Sequence, residues 1–165
     1  MLKIKDGIIG HAVGDAMGVP VEFCDRQDLL KNLVTDMTGY GTYSVPEGTW
    51  SDDTSMEIAL MDSFIKKKNF DYADIMEKFS DWINCGKYTP NGKVFGVGRT
   101  CVQAIRRHEQ GFNPLECGLS NIESNGNGSL MRILPVAYYC YHKKLNYHEI
   151  YKLVKGVSSL THGHE

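Results

Sequence analysis

Apolar residues recur at helical spacing along most of this 165-residue chain, and few segments alternate strictly enough for β-strands. A first helix places Ile4, Ile8 and Ala12 on one stripe, with Asp15 next along it, and closes at Gly18-Val19-Pro20. Further helices are predicted from residue 53 to about 67, from about 71, from 97 to 110, and from 147 to about 160. The pattern therefore predicts an all-α fold, a single compact multi-helix domain over residues 1–165.

Two of these segments carry more detailed expectations. The stretch SLMRILPVAYYCYHK (residues 129–143) is apolar on nearly all sides, which predicts a central helix with Pro135 in its first turn or at a kink. In the helix from residue 53, the spacing turns five apolar side chains inward: Met56, Ala59, Leu60, Phe64 and Ile65.

Composition excludes several classes of protein. The formal net charge of -2 gives no electrostatic basis for general nucleic-acid binding. No stretch reaches the ~20 apolar residues that would span a bilayer. The five cysteines include no C-x-x-C pair, which argues against a zinc ribbon or a disulfide framework. Reduced thiols and no secretion signal predict a soluble, cytoplasmic protein.

The strongest local signal is WSDDTSME (residues 50–57), between a glycine- and proline-rich loop and a predicted helix. Ser51, Asp52 and Asp53 supply a hydroxyl and two carboxylates in succession, and an irregular loop-to-helix junction lets these oxygens face one point. Hard cations such as Mg²⁺ prefer such ligands. The same string is also typical of a helix N-cap, which is the commoner meaning of this spacing alone.

A second signal is GNGSLMR (residues 126–132), with two glycines just before an apolar helix. Free backbone N–H groups at such a point bind anions, and glycine lets a phosphate approach closely. A tight turn with an N-cap explains the pattern equally well.

Two weaker signals remain. In GDAMGVPVEF (residues 14–23), Asp15 and Glu22 either bring carboxylates into a cleft or serve as a buried cap and a surface residue. Near the end, the spacing of His162 and His164 could indicate a metal site, but imidazole suits softer metals than a carboxylate cluster does, and such a pair is more often solvated or in contact with a sugar.

In order and spacing, these strings resemble the ADP-ribosylglycohydrolase family, which includes the dinitrogenase reductase-activating glycohydrolases. The matching motifs cover essentially the whole chain: G-x-x-x-GDAMG-x-P-x-EF, GYGT-x-x-x-PEGTWSDDTSM, GNGSLMR-x-LPVA and SSLTH-x-H. No one string is decisive, but four in this order make the resemblance specific.

The resemblance implies an all-α fold around two Mg²⁺ ions, replaced by Mn²⁺ in some members. It implies that Ser51, Asp52 and Asp53 are metal ligands, that Asp52 or Asp53 assists as a base, and that Glu22 gates or contacts the site. It further implies a substrate-binding wall made of a glycine loop and a histidine: Gly126, Asn127, Gly128, Ser129, Met131 and His162.

The function implied is hydrolysis of ADP-ribose from an ADP-ribosylated protein or another conjugate. The family's second metal-binding segment, of GxDxDT type, does not occur up to Glu165, so the chain is expected to correspond to the N-terminal part of the family domain. A non-catalytic ADP-ribose-binding protein or a structural homologue is the alternative. Gly96 stands where many arginine-specific members have an acidic residue, which leaves arginine, serine, nucleobase and small-molecule linkages open.

Overall fold

A computed structural model describes residues 3–164, which form seven α-helices and no β-strand. The helices in chain order are α1 (Ile4–Gly18), α2 (Arg26–Lys31), α3 (Asp52–Lys67), α4 (Tyr72–Cys85), α5 (Arg99–Glu109), α6 (Leu134–Lys143) and α7 (Tyr147–Ser159). Short 3₁₀ turns lie at Val19–Val21, Pro114–Glu116, Ile122–Ser124 and Leu130–Arg132. The predicted all-α fold is confirmed.

Helix α3 is the centre of the fold. It packs against α1, α4, α6 and the 3₁₀ turn at Leu130–Arg132. Met56, Ala59 and Leu60 on this helix are fully buried. These contacts hold the N-terminal end of α3 between segments that are distant in sequence, and the candidate site forms there.

Helix α4 supplies the largest apolar side chains of the core. Ile75, Phe79 and Trp82 are buried at helical spacing, and burying each contributes roughly 1.5–3 kcal/mol. The Asp71 side chain caps the helix by accepting a hydrogen bond from the N–H of Asp74 at 3.1 Å. Helix α4 therefore starts at Tyr72, one residue after Asp71, close to the predicted start at about residue 71.

Three expectations about helices were wrong in detail. The segment 129–143 is not one central helix but a 3₁₀ turn followed by α6, and Pro135 sits in the first turn of α6, which was one of its two predicted places. Helix α6 is also only half-buried, with Tyr141 70% exposed, since a tyrosine hydroxyl tolerates water. Ile65 is 60% exposed rather than inward. Helix α2, which buries no side chain, was missed.

The cysteines agree with the expectation of free thiols. All five are unpaired; Cys24 and Cys85 are exposed, whereas Cys101, Cys117 and Cys140 are buried. Across residues 3–164, no helix combines the length and the apolar character needed to cross a membrane.

Candidate functional site

A cleft of about 540 Å³ brings together most of the predicted site residues. Its walls come from the segment after α1, the start of α3, the loop before α5, the glycine loop before α6 and the residues after α7. The predicted residues that line it are Glu22, Asp52, Asp53, Gly126, Asn127, Gly128, Met131 and His162. Two predicted residues, Ser51 and Ser129, do not line this cleft.

The start of α3 is capped by a residue from another helix. Asp15, on α1, accepts hydrogen bonds from the backbone N–H groups of Ser51 at 3.0 Å and Thr54 at 3.0 Å. It also accepts from both side-chain hydroxyls, at 2.6 Å from Ser51 and 2.7 Å from Thr54. Ser51 is the N-cap residue, yet its side chain makes no capping bond. Because Asp15 performs the capping, the carboxylates of Asp52 and Asp53 are not needed for it.

Asp52 is more buried than Asp53, and the pKa values of both carboxyl groups are raised. Asp52 is only 7% exposed. Burial, followed by the neighbouring charge of Asp53, raises the pKa of Asp52 from 3.8 to about 7. Burial and the charge of Asp15 likewise raise the pKa of Asp53. Paired acidic groups with raised pKa values in a cleft are typical of functional sites.

The acidic residues at this end of the cleft are not paired with a lysine or an arginine of the described chain. Among residues 3–164, no lysine or arginine forms an ion pair with Asp15, Glu22, Asp52 or Asp53. In the same range, no three His, Cys, Asp or Glu side chains converge closely enough to hold a metal ion. The cluster thus has the uncompensated charge and the oxygen donors that suit a hard cation, but only part of a coordination shell.

The glycine loop forms the opposite wall. Within the described part of the chain, no protein oxygen accepts a hydrogen bond from the N–H groups of Gly126, Asn127 or Gly128. A Cβ on Gly128 would lie 2.8 Å from Cε1 of His162 and 2.9 Å from Sγ of Cys101, so only glycine fits there. Free N–H donors on a loop with two glycines are suited to a phosphate group.

The helix expected to follow this loop directly is replaced by the 3₁₀ turn at Leu130–Arg132. The loop therefore does not stand at an α-helix N-terminus, and its anion-binding capacity rests on its own N–H groups. Ser129 is half-buried at the start of this turn and is not among the residues that line the cleft.

The fold also places residues in the cleft that the sequence did not indicate. Tyr43 lies in the wall, and burial, followed by a hydrogen bond to Glu22, raises its pKa to about 12. Phe23 stands at the mouth, 84% exposed. The motif GYGT-x-x-x-PEGTW contains Tyr43, but one tyrosine among nine carries no signal of its position in space.

Gly96 faces the acidic cluster directly. Its φ of 71° lies in the left-handed region, and a Cβ on it would stand 3.3 Å from Oδ1 of Asp52. An acidic side chain at position 96 would therefore enter the cleft beside Asp52. Because this chain has glycine there, position 96 adds no carboxylate to the cleft.

Known proteins match this chain in sequence and in fold. The chain is 32% identical over 143 residues to the ADP-ribosylarginine hydrolase Tri1 of Pseudomonas putida, covering 85% of this chain and 37% of that protein. It is 35% identical over 132 residues to the ADP-ribosyl-[dinitrogen reductase] glycohydrolase of Rhodospirillum rubrum, covering 78% and 42%. The chain thus spans less than half the length of these relatives.

A solved structure, described as an ADP-ribosylglycohydrolase-related protein complex, superposes with a TM-score of 0.75 at 28% identity. The match covers 95% of this chain and 48% of the other. The family model for ADP-ribosylglycohydrolase matches residues 2–165. With the motifs, the helical fold and the cleft in agreement, the chain belongs to the ADP-ribosylglycohydrolase family.

Proposed function

We propose that this chain binds the ADP-ribosyl group in the cleft between α3 and the glycine loop and contributes to its hydrolytic release from a protein or another conjugate. The observation that carries the proposal is the convergence of an acidic pair and an anion-binding loop, more than 70 residues apart in sequence, on one cleft. An ADP-ribosyl group has a diphosphate, which the glycine loop suits, and a ribose whose anomeric carbon reacts, which the acidic pair suits.

The residues present fit one side of a magnesium site. Asp52 and Asp53 would hold the cation with carboxylate oxygens. Ser51 is the weaker candidate, because its hydroxyl already donates to Asp15 at 2.6 Å. When bound, Mg²⁺ or Mn²⁺ supplies Lewis-acid stabilisation of negative charge at the ribose. The remaining ligands would have to come from outside residues 3–164 or from water and substrate.

The chain's own residues account for binding and for proton transfer. The N–H groups of Gly126, Asn127 and Gly128 donate to the diphosphate. A carboxylate oxygen of Asp52 or Asp53 that does not bind the cation is suited to accept a proton from an attacking water. Water then adds to the anomeric carbon as the glycosidic bond breaks through an oxocarbenium-like state, and the departing group takes up a proton.

The linkage that is cleaved depends on what faces Asp52. Two relatives of this chain are named as ADP-ribosylarginine hydrolases. A guanidinium leaving group is best recognised by a carboxylate, and Gly96 supplies none. We therefore propose the ADP-ribosyl group as the recognised part and leave the linkage to be assigned by assay of arginine- and serine-linked substrates side by side.

The test combines calorimetry with turnover. ADP-ribose is titrated into the full chain with and without Mg²⁺, and release of ADP-ribose from a modified protein is followed in parallel. Metal-dependent binding with release supports the hydrolase. Asp53→Ala should abolish the metal dependence, whereas Asp28→Asn on the exposed surface of α2 should preserve it. No binding of ADP-ribose under either condition refutes the proposal.

A non-catalytic ADP-ribose-binding role is the second candidate, because the glycine loop and His162 line the cleft on the side opposite the acidic pair. In that case ADP-ribose binds equally well without Mg²⁺, no ADP-ribose is released, and Asp53→Ala leaves affinity within about twofold. The same titrations therefore separate the two functions.

A further inference from the structure

Arg132 is a buried cation without an acidic partner. It is fully buried, and within residues 3–164 no carboxylate forms an ion pair with it. Its guanidinium stacks over the Phe79 ring at 5.0 Å, and burial lowers its pKa to about 10, so it stays charged at neutral pH. A buried charge of this kind is costly unless its donors are well used.

Its donors join the two sides of the substrate-binding wall. One terminal nitrogen donates to the carbonyl of Gly128 at 2.6 Å. The other donates to Oγ1 of Thr161 at 2.7 Å and to the carbonyl of Val157 at 3.2 Å. The guanidinium therefore fixes the glycine loop relative to the end of α7.

The Thr161 hydroxyl that accepts from Arg132 also contacts His162. Its Oγ1 lies 2.8 Å from Nδ1 of His162. A guanidinium has no acceptor, so the hydroxyl oxygen accepts from Arg132 and keeps its own hydrogen to donate. The nearby Cys101 is a weaker acceptor than an imidazole nitrogen, because burial raises the pKa of its thiol and keeps it neutral. The hydroxyl hydrogen therefore goes to Nδ1.

We propose that Arg132 and Thr161 are positioning residues that hold His162 as the neutral tautomer with its proton on Nε2. Nδ1 is occupied as an acceptor, so the ring proton must stand on the other nitrogen. That nitrogen faces the glycine loop, 3.7 Å from where a Cβ on Gly126 would lie and 3.4 Å from one on Gly128. His162 thus presents an N–H donor to an oxygen of the ligand held by the loop.

The identity of that ligand as an ADP-ribosyl group rests on the proposed function, but the tautomer does not. Both burial and the charge of Arg132 lower the pKa of His162, which agrees with a neutral ring. A neutral donor suits a ribose hydroxyl or phosphate oxygen without requiring acid conditions for binding.

The test is an imidazole nitrogen NMR spectrum of the ¹⁵N-histidine-labelled chain without ligand, with His162→Gln used only to assign the signals. We expect one protonated nitrogen, Nε2, and one acceptor nitrogen, Nδ1. Thr161→Val removes the hydroxyl with little change in volume and should bring the two nitrogen shifts together, whereas Thr161→Ser should keep the wild-type pattern.

Affinity for ADP-ribose gives the second readout. Thr161→Val should weaken binding about tenfold, and Thr161→Ser should stay within about threefold of wild type, with thermal melts confirming that both variants fold. A proton on Nδ1 in the wild type, or an unchanged spectrum in Thr161→Val, overturns the proposal even when ADP-ribose binds. The predicted tautomer in a chain that binds no ADP-ribose upholds the positioning role and refutes the proposed function.

Discussion

Asp15→Ala tests whether the Asp15 carboxylate on α1 caps the N-terminus of α3. The substitution removes one carboxylate from α1 and leaves the sequence of α3 unchanged. It deprives the backbone N–H groups of Ser51 and Thr54, together with their hydroxyls, of a shared acceptor at 2.6–3.1 Å. Both hydroxyls can rotate toward other acceptors, but the two N–H groups are fixed by the helix. These two donors therefore dominate the loss.

The magnitude follows from those two N–H groups. An unsatisfied buried donor costs about 1–3 kcal/mol, so the loss of an acceptor for two of them in Asp15→Ala should lower the free energy of unfolding by about 2–6 kcal/mol. The matched control is Asp71→Ala at the start of α4, where the aspartate accepts one hydrogen bond, from the N–H of Asp74 at 3.1 Å. Loss of a single cap of this kind costs about 1 kcal/mol.

Urea denaturation followed by circular dichroism at 222 nm measures both changes on the same scale. The expected order of stability is wild type, then Asp71→Ala, then Asp15→Ala, with similar slopes for all three. An Asp15→Ala variant that is no less stable than Asp71→Ala would show that the contacts between α1 and α3 do not carry the cap. The account of why Asp52 and Asp53 are free to face the cleft would then be wrong.

Three further predictions concern charge, space and thiol accessibility. In the absence of divalent cations, the contribution of Asp52 to stability should fall as the pH rises from about 4 to about 7, because the unfolded chain releases the Asp52 proton near 3.8 and the folded chain only near 7. Relative to wild type, Asp52→Asn should therefore gain up to about 4 kcal/mol at pH 8 in urea melts and little at pH 4. Equal gains at both pH values would contradict this. Gly41→Ala should destabilise by about 2 kcal/mol or more in the same melts, since its Cβ would stand 1.9 Å from the backbone oxygen of Pro20, whereas Gly14→Ala, with nothing within 4 Å in α1, should be neutral or stabilising by up to about 1 kcal/mol. Ellman's reagent should label Cys24 and Cys85 rapidly in the native chain, and only unfolding should release the three buried thiols, whose pKa values burial raises: Cys101, Cys117 and Cys140.

Two residues show why the site could be predicted only in part. The sequence allowed Asp15 to be either a cleft carboxylate or a buried cap. The structure makes it a cap, because its partner Ser51, 36 residues away, lies within hydrogen-bond distance. Arg132 is a single charged residue inside an apolar run, which signals a buried charge that needs partners. The sequence does not say that its partners are Gly128 and Thr161, because those contacts form only when α7 folds back on the loop.

The linear sequence was sufficient for the helical class, for most helix positions and for many of the residues that gather around the cleft. These features follow from apolar periodicity, caps and motif order, which act over a few residues or are carried intact in the motifs. The tertiary structure decided which aspartate caps α3 and which face the cleft, where the segment around Pro135 breaks, and which nitrogen of His162 is held as an acceptor. Each of these depends on hydrogen bonds and burial between helices distant in sequence, and such contacts have no local pattern from which they could be read.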